Sequence, residues 1–593
     1  MKRFFIATIL GTVFFSSCKK DLLDTAPYDN LASATMWSSD NLTEQGVNGI
    51  YNALRLGQAF SGASGLEIYQ YDRFGVTGQG RDADAMMQGT ITPGNALFSN
   101  NWRNFYEGVI RANDAIANIP AKSPSSADRK ARFLAEAKFL RAYFYFRLNQ
   151  VWKGVPLYLD PVTFDEFTKP RSTEQEVWNQ VIADLTDCIN EARLPSKYAS
   201  SSPDYGRVTK GAAYALRGKV YMYTKEWANA AADFQKVKEA GFTLFTAGGT
   251  NTAYYQLFKE ANERSDEMIF SLQNISVDGL GSTTAWYAGS RATMNAGGWN
   301  NYFVSPDLVD LYEYTNGDKF NWDAVIPGYS SMTPKARRVF FLRNNLTATE
   351  ISGAAAQGAD MSKYLPTGNE ARLQAAYQGR DPRLMANVIT PYSTYAGHVG
   401  SGAQTVTLRV PYRGETSPNF DLRIDGNIYA YLYRKFVPEG PTEFINRQYG
   451  PVDLPLIRYA DVLLMWAEAL NEQGDVPGAI EKVNEVRTRV GMPALQQSNS
   501  VAGTYVLGQT DLRDRIRNER RAEFPNEGIS YFDELRWKTW KESSFKTGSG
   551  SQLMWGENIW SYNWAGDWFY AWPIPQVEIE RNPSLTQNDG WPR

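Results

Sequence analysis

Residues 214–237 read YALRGKVYMYTKEWANAAADFQKV, and residues 462–486 read VLLMWAEALNEQGDVPGAIEKVNEV. In the first, Tyr214, Gly218, Tyr221, Ala230, Phe234 and Val237 run large, small, large, then small, large, apolar. In the second, Ala467, Leu470, Gly474, Ala479, Val483 and Val486 occupy the same register. Spacings of three and four place each half of a set on one face of its own helix. The small residues let two antiparallel helices approach where a side chain is nearly absent. Each such pair leaves an apolar face uncovered, so the pairs are expected to stack on one another or on other elements.

This is the spacing of tetratricopeptide hairpins, and its surroundings are helical too. SSADRKARFLAEAKFLRAYFYFRLNQVW (125–152) sets Phe133, Ala137, Leu140, Phe144 and Leu148 on one face. GVPLYLDP then breaks the pattern with proline. The next helix opens at Thr173 with Glu176 three residues on, the arrangement of a capping box. From about 245 to 455 the character changes to glycine, asparagine, serine and isolated aromatics, which predicts long loops with a few short strands. The chain is expected to be mainly α, a tetratricopeptide-type scaffold at about 100–240 and 455–540. Loop-rich ligand regions are expected at about 60–100 and 245–450, with a closing segment at 541–593. No linker divides residues 31–593, so they are read as a single globular domain.

The N-terminus carries an export signal. Lys2 and Arg3 precede an apolar run of 12 residues, Phe4 to Phe15, too short for the roughly 20 residues of a membrane-spanning helix. The run ends in FFSSC, where small residues stand before Cys18 as in a bacterial lipobox. Residues 1–17 are therefore read as a lipoprotein signal peptide, Cys18 as the lipid anchor and 18–30 as a tether. Removing Lys2 and Arg3 leaves 59 basic against 64 acidic residues. With no basic stripe, nucleic acid is excluded as a partner. Cys188, the other cysteine, lies in a helical pattern and is expected in the core.

Catalytic constellations are missing from the sequence. The one histidine, His398, rules out an HExxH zinc site, and no GxSxG elbow, Walker loop or complete GxGxxG is present. Asp82 and Asp84 stand close enough to suggest Ca²⁺, but EF-hand spacing stops there; no metal or other cofactor is assigned. The cluster DLRDRIRNERRAEF (511–524) mixes arginines with Asp511, Asp514, Glu519 and Glu523 at spacings suited to helix-surface ion pairs.

At this point the chain resembles the SusD/RagB outer-membrane nutrient-binding lipoproteins. The resemblance is carried by AEAKFLRAYFYFRLNQVWKGVPL (135–157), TKGAAYALRGKVYMYTKEW (209–227), DPRL (381–384) and YRKF (433–436). LPLIRYADVLLMWAEALNEQGD (454–475), IRNERRAEFPNEGISYFDELRW (516–537) and PIPQVEIERNPSLTQNDGW (573–591) complete it. Ser530 and Glu534 depart from a pattern that often has arginine and leucine there. The resemblance implies a non-enzymatic lipoprotein on the outer face of the outer membrane. It would hold an oligosaccharide over a SusC-like TonB-dependent transporter, the energy-coupled partner. Two alternatives are a peptide-binding RagB-like member and, of another class, a periplasmic tetratricopeptide scaffold for protein partners.

A sugar ring presents an apolar face and a rim of hydroxyls, so its site needs flat aromatics beside Asp, Asn or Arg. Two stretches meet this need, and the family's ligand contacts are implied to come from loops in these parts of the chain. EIYQYDRFGVTGQGRDADAMMQ (67–88) offers Tyr71, Asp72, Arg73, Arg81 and Asp82, with Tyr69 nearby. TTAWYAGSRATMNAGGWNNYF (283–303) and the DKFNWD that follows offer Trp286, Tyr287, Trp299, Asn300 and Trp322, with Arg291 and Asn295 alongside. Trp286 and Trp299 are the foremost candidates. In WGENIWSYNWAGDWFYAWPIP (555–575), Trp568, Phe569 and Trp572 are read as core, whereas Trp555, Trp560 and Trp564 remain open.

Overall fold

In the computed structural model the described residues are 33–56, 68–162, 167–277, 279–293, 297–399, 402–424, 426, 428–440 and 449–592. The expected signal peptide, Cys18, the tether and Asn295 lie outside them.

The scaffold grows helix by helix: α1 (Asp40–Ala53), α2 (Ala96–Lys122), α3 (Ala127–Trp152), α4 (Glu174–Asn190), α5 (Lys210–Thr224) and α6 (Trp227–Glu239). Side chains of Ser39, Asn95, Ser126 and Thr209 cap the N-termini of α1, α2, α3 and α5, and Thr173 with Glu176 makes the expected capping box on α4. Each helix packs on the next from α1 through α6 (α1·α2, α2·α3, α3·α4, α4·α5, α5·α6). A Cβ at Gly218 would lie 2.5 Å from the Phe234 ring, which is why the α5–α6 hairpin needs a small residue there. Cys188 is buried as expected, its thiol donating to the carbonyl oxygen of Ala135 at 3.1 Å.

The second hairpin, α7 (Tyr459–Glu472) and α8 (Val476–Arg489), packs directly against α6, although residues 240–458 intervene in the chain. The strand pair Met268–Leu272 and Leu454–Arg458 joins entry and exit of that excursion (Met268↔Arg458, Leu272↔Leu454). The two repeat copies therefore form one stack. Next follow α9 (Gln509–Glu523), which lies on α7 and α8, and α10 (Ser530–Trp537).

Two features go beyond the sequence expectations. Helix α3 has no solvent face over its second half, because nearly every residue from Phe133 to Trp152 is buried, Arg141 and Asn149 included. Arg141 is accommodated by Asp184 at 2.7 Å. The central region is more ordered than a set of long loops. Helices of four to nine residues, such as Pro306–Leu311 and Ala348–Ala356, and short antiparallel pairs enclose a second core. Val309, Tyr312, Trp322, Phe341, Leu384, Val406 and Leu432 belong to it. One-turn helices are too short to print a 3.6-residue period, so the sequence reads as loop.

The junction between scaffold and central region is ionic. Glu523, at the end of α9 and fully buried, accepts from Arg383 at 3.0 Å, from Arg458 at 2.8 Å and from Arg489. Arg458 also reaches Glu267 and Glu527, each at 2.8 Å, and Glu519 holds Arg383 at 2.6 Å and Arg487 at 2.9 Å. Lys435 pairs with Glu527. DPRL, YRKF, LPLIRYAD and the α9 stretch thus converge on one buried cluster. Expected surface pairing along α9 holds for Asp511 with Arg515 at 3.1 Å, but not for Glu519 and Glu523, which turn inward. Glu534, one of the departures, is matched locally by Arg521 at 2.6 Å.

The C-terminal segment closes the molecule. Trp572 is buried and donates its indole N–H to Tyr531 at 2.8 Å, and Phe569 is buried against Trp591. Trp568 is half-buried, resting edge-on against Trp591. Trp555 is buried too, in the second core beside Phe341.

Burial alone would raise the Glu523 carboxyl, yet the guanidiniums of Arg489, Arg458 and Arg383 hold it well below the usual carboxylate range. Removing one partner of a buried ionic cluster typically costs about 3–5 kcal/mol. Glu523→Ala is therefore expected to lower the unfolding free energy by about that amount in urea titrations, whereas exposed Asp514→Ala should shift it by about 0.5 kcal/mol at most.

Candidate glycan-binding site

The two loops singled out from sequence meet. Strand Gly78–Gly80 pairs antiparallel with strand Tyr302–Val304, Gly78 opposite Val304 and Gly80 opposite Tyr302. Gly78 is required here because a Cβ would stand 2.5 Å from the Tyr433 hydroxyl and 2.9 Å from the Asp72 carbonyl oxygen. The Arg81 amide extends the pairing by donating to Asn301 at 2.8 Å. The second loop also folds back on itself. Amides of Trp299 and Asn301 donate to the carbonyls of Trp286 and Tyr287 at 2.7 and 2.8 Å, on the short helix Thr284–Ala288.

This backbone gathers an aromatic cluster. Trp299 meets Trp286 edge-on at 4.8 Å and Tyr287 at 5.8 Å, and Tyr302 lies 6.2 Å from Tyr287 and 6.0 Å from Tyr69. Tyr287, Trp299 and Tyr302 are half-buried and keep solvent-facing surface. Beside them Arg81 donates to the Trp299 carbonyl at 2.7 Å and forks onto Asp82 at 3.0 and 3.2 Å. The Arg81 side chain is 19% exposed and that of Asp82 71%. Arg73 binds the Tyr302 hydroxyl at 2.9 Å and pairs with Asp84 at 3.0 Å, which orients the Tyr302 ring. Both Asp82 and Asp84 are thus engaged by arginines. Among the described residues, no group of three or more His, Cys, Asp or Glu is placed to hold a metal ion. Flat apolar faces beside a cation and an exposed carboxylate are what a hydroxyl-rimmed ring requires.

Five of the sequence candidates are not surface residues. Trp286 is fully buried and serves as the floor on which Trp299 and Tyr287 rest. Tyr71 lies in the main core, parallel to Tyr531, with its hydroxyl on Asn101 at 2.8 Å. Trp322 stacks on Tyr329 at 4.4 Å in the second core and donates to Asp310 at 2.9 Å. Asn300 is buried with a positive φ of 48°, turning the chain between Trp299 and Asn301. Asp72 is buried beneath the strand pair. Composition marked these residues, but packing claimed them. The sequence does not single out Tyr302: NYFVS reads as a short apolar run, and nothing local separates half-buried Tyr302 from buried Phe303 and Val304.

The SusD family profile matches residues 258–591, and a second profile, described as starch-binding associating with outer membrane, matches 21–222. A SusD-like protein P38 of Formosa agariphila is 25% identical over 560 residues, 90% of either chain. Among solved structures, a SusD-like protein of Bacteroides fragilis superposes with TM-score 0.73 at 24% identity, covering 96% of this chain and all of that one. A laminarin-binding SusD-like protein gives TM-score 0.61 at 21% identity, covering 94% and 100%. Both structures establish the shared, mainly helical fold.

Asp72 supports the site from below and carries a pH signature. Burial pushes its carboxyl up to about 7, against the amides of Gly528 and Asn526, which lower it; Glu527 adds to the rise and Lys435 opposes it. In the unfolded chain the group ionises near pH 4, so the folded state holds the extra proton between roughly pH 4 and 7. Its contribution to stability is complete below the unfolded value and is lost as pH rises through the folded one. Asp72→Asn is expected to stabilise the protein at pH 8 by on the order of 3 kcal/mol relative to wild type. The gap should narrow at pH 5 and close near pH 4, measured as melting temperature against pH.

Proposed function

The chain belongs to the SusD family, and from that premise we propose that it is a cell-surface lipoprotein that binds an oligosaccharide and passes it to a SusC-like TonB-dependent transporter. Members of this family are non-catalytic binding proteins, and the bond chemistry and energy coupling fall to other components. Anchorage in the outer membrane is assigned to lipid on Cys18. Among the described residues no helix is long and apolar enough to cross a membrane.

One observation carries the glycan reading. Residues 69–82 and 286–302, far apart in the chain, are pinned together by a strand pair, and Trp299, Tyr287, Tyr302, Arg81 and Asp82 gather there. The rings supply stacking faces at little rotamer cost, and Arg81 and Asp82 supply a donor and an acceptor for hydroxyls. Because the floor is buried and hydrogen-bonded, little ordering is left for the ligand to impose. The outer-membrane starch-binding profile and the laminarin-binding relative point to the same ligand class.

Affinity gel electrophoresis against starch, laminarin, xylan and mannan tests this reading. Wild type is expected to be retarded by at least one polysaccharide. Trp299→Ala should weaken that binding by about tenfold or more, whereas Tyr71→Phe, whose hydroxyl is spent on Asn101, should leave it unchanged. Retention of peptides with no polysaccharide bound would overturn the glycan reading in favour of the peptide-binding alternative. Protection from protease on intact cells would overturn the surface location.

A further inference from the structure

We infer that Trp560 is a second stacking surface of the same site, engaged only by ligands long enough to pass Arg81; this rests on the glycan-binding reading above. Trp560 belongs to strand Asn558–Ser561, paired antiparallel with Gly550–Gln552. That hairpin is fastened to strand Gly78–Gly80 by the Gln79 side-chain amide, which donates to the Gln552 carbonyl at 2.7 Å and accepts from its amide at 2.8 Å. The Ser551 hydroxyl adds a bond to the Gly80 carbonyl at 2.7 Å. The indole N–H of Trp560 donates to the carbonyl oxygens of Gly80 and Arg81, each at 3.2 Å.

Arg81 therefore stands between two tryptophans. Its backbone carries the Trp560 indole, and its guanidinium reaches the Trp299 carbonyl at 2.7 Å. Both indoles are half-buried, each held by the protein and each keeping solvent-facing surface. Between them lies Arg81, with the exposed carboxylate of Asp82 paired to it at 3.0 Å, and both groups suit hydroxyls. A single sugar covers one indole, and reaching the other across Arg81 takes a longer chain. The indole N–H of Trp560 is already committed to backbone, so what remains for a ligand is the ring face. A phenyl ring should then serve nearly as well.

Partial acid hydrolysates of starch, laminarin, xylan and mannan, fractionated by length from one sugar upward, are titrated calorimetrically into wild type, Trp299→Ala, Trp560→Ala and Trp560→Phe. Trp299→Ala is expected to lose affinity at every length that binds. Trp560→Ala should match wild type on the shortest binding fragments and fall about tenfold on longer ones, with Trp560→Phe recovering most of the loss. Should Trp560→Ala lower the melting temperature, Trp560→Leu decides, since it keeps apolar bulk without a flat face: a loss confined to long fragments upholds the inference. Wild-type affinity at every length in the Trp560 variants, with Trp299→Ala impaired, overturns the role of Trp560 and leaves the glycan reading standing. A wild-type protein that binds no fragment overturns both.

Discussion

The carboxylate of Glu523 ends helix α9 in the interior and is shared by guanidiniums from three distant parts of the chain, Arg383, Arg458 and Arg489. Its backbone carbonyl is occupied as well, accepting from the Tyr254 hydroxyl at 2.6 Å and from Arg458 at 2.9 Å. Charges buried this deeply are tolerable only when every partner is present. The cluster thus forms when scaffold, central region and strand pair are all in place, and it penalises any arrangement that omits one of them. Its Coulomb attraction is offset by desolvation, so it specifies the assembly more than it stabilises it.

That constraint fixes the geometry on which the candidate site rests. Arg458 ends the strand that pairs with Met268–Leu272, and the same chain then leads through Thr284–Ala288 to the aromatic loop. On the other side, Asp72 faces the amides of Asn526 and Gly528, three and five residues beyond Glu523. Loop 67–88 is thereby referenced to the cluster from beneath, and its strand Gly78–Gly80 is held laterally by Tyr302–Val304. The candidate site is irregular in outline but bolted to buried, hydrogen-bonded supports. This suits a binding protein whose affinity depends on how little the ligand must order.

Trp286 and Trp299 show how buried and exposed aromatics divide the work. Both stand in one loop, thirteen positions apart, and their rings touch. The first is sealed beneath the surface and the second keeps a face toward solvent. A flat exposed indole on an unsupported loop would be free to reorient. Resting on Trp286 and tied through its amide to the Trp286 carbonyl, the Trp299 ring is held in one attitude.

The helical scaffold was legible residue by residue. Gly218 against Phe234, the Thr173–Glu176 box and the repeat register of α5–α6 and α7–α8 all follow from local spacing, because helix geometry depends on neighbours three and four apart. The composition of loops 67–88 and 283–303 was legible as chemistry, since Arg81, Asp82, Tyr287 and Trp299 are the residue types a sugar requires. Which aromatics face solvent was not. Tyr71, Trp286 and Trp322 share composition and surroundings with Trp299, and only packing against Tyr531, Trp299 and Tyr329 separates floor from surface. The inward turn of Glu519 and Glu523 and the arrival of Trp560 beside Arg81 are likewise tertiary. Their partners lie scores to hundreds of residues away, and no local period encodes a contact at that separation.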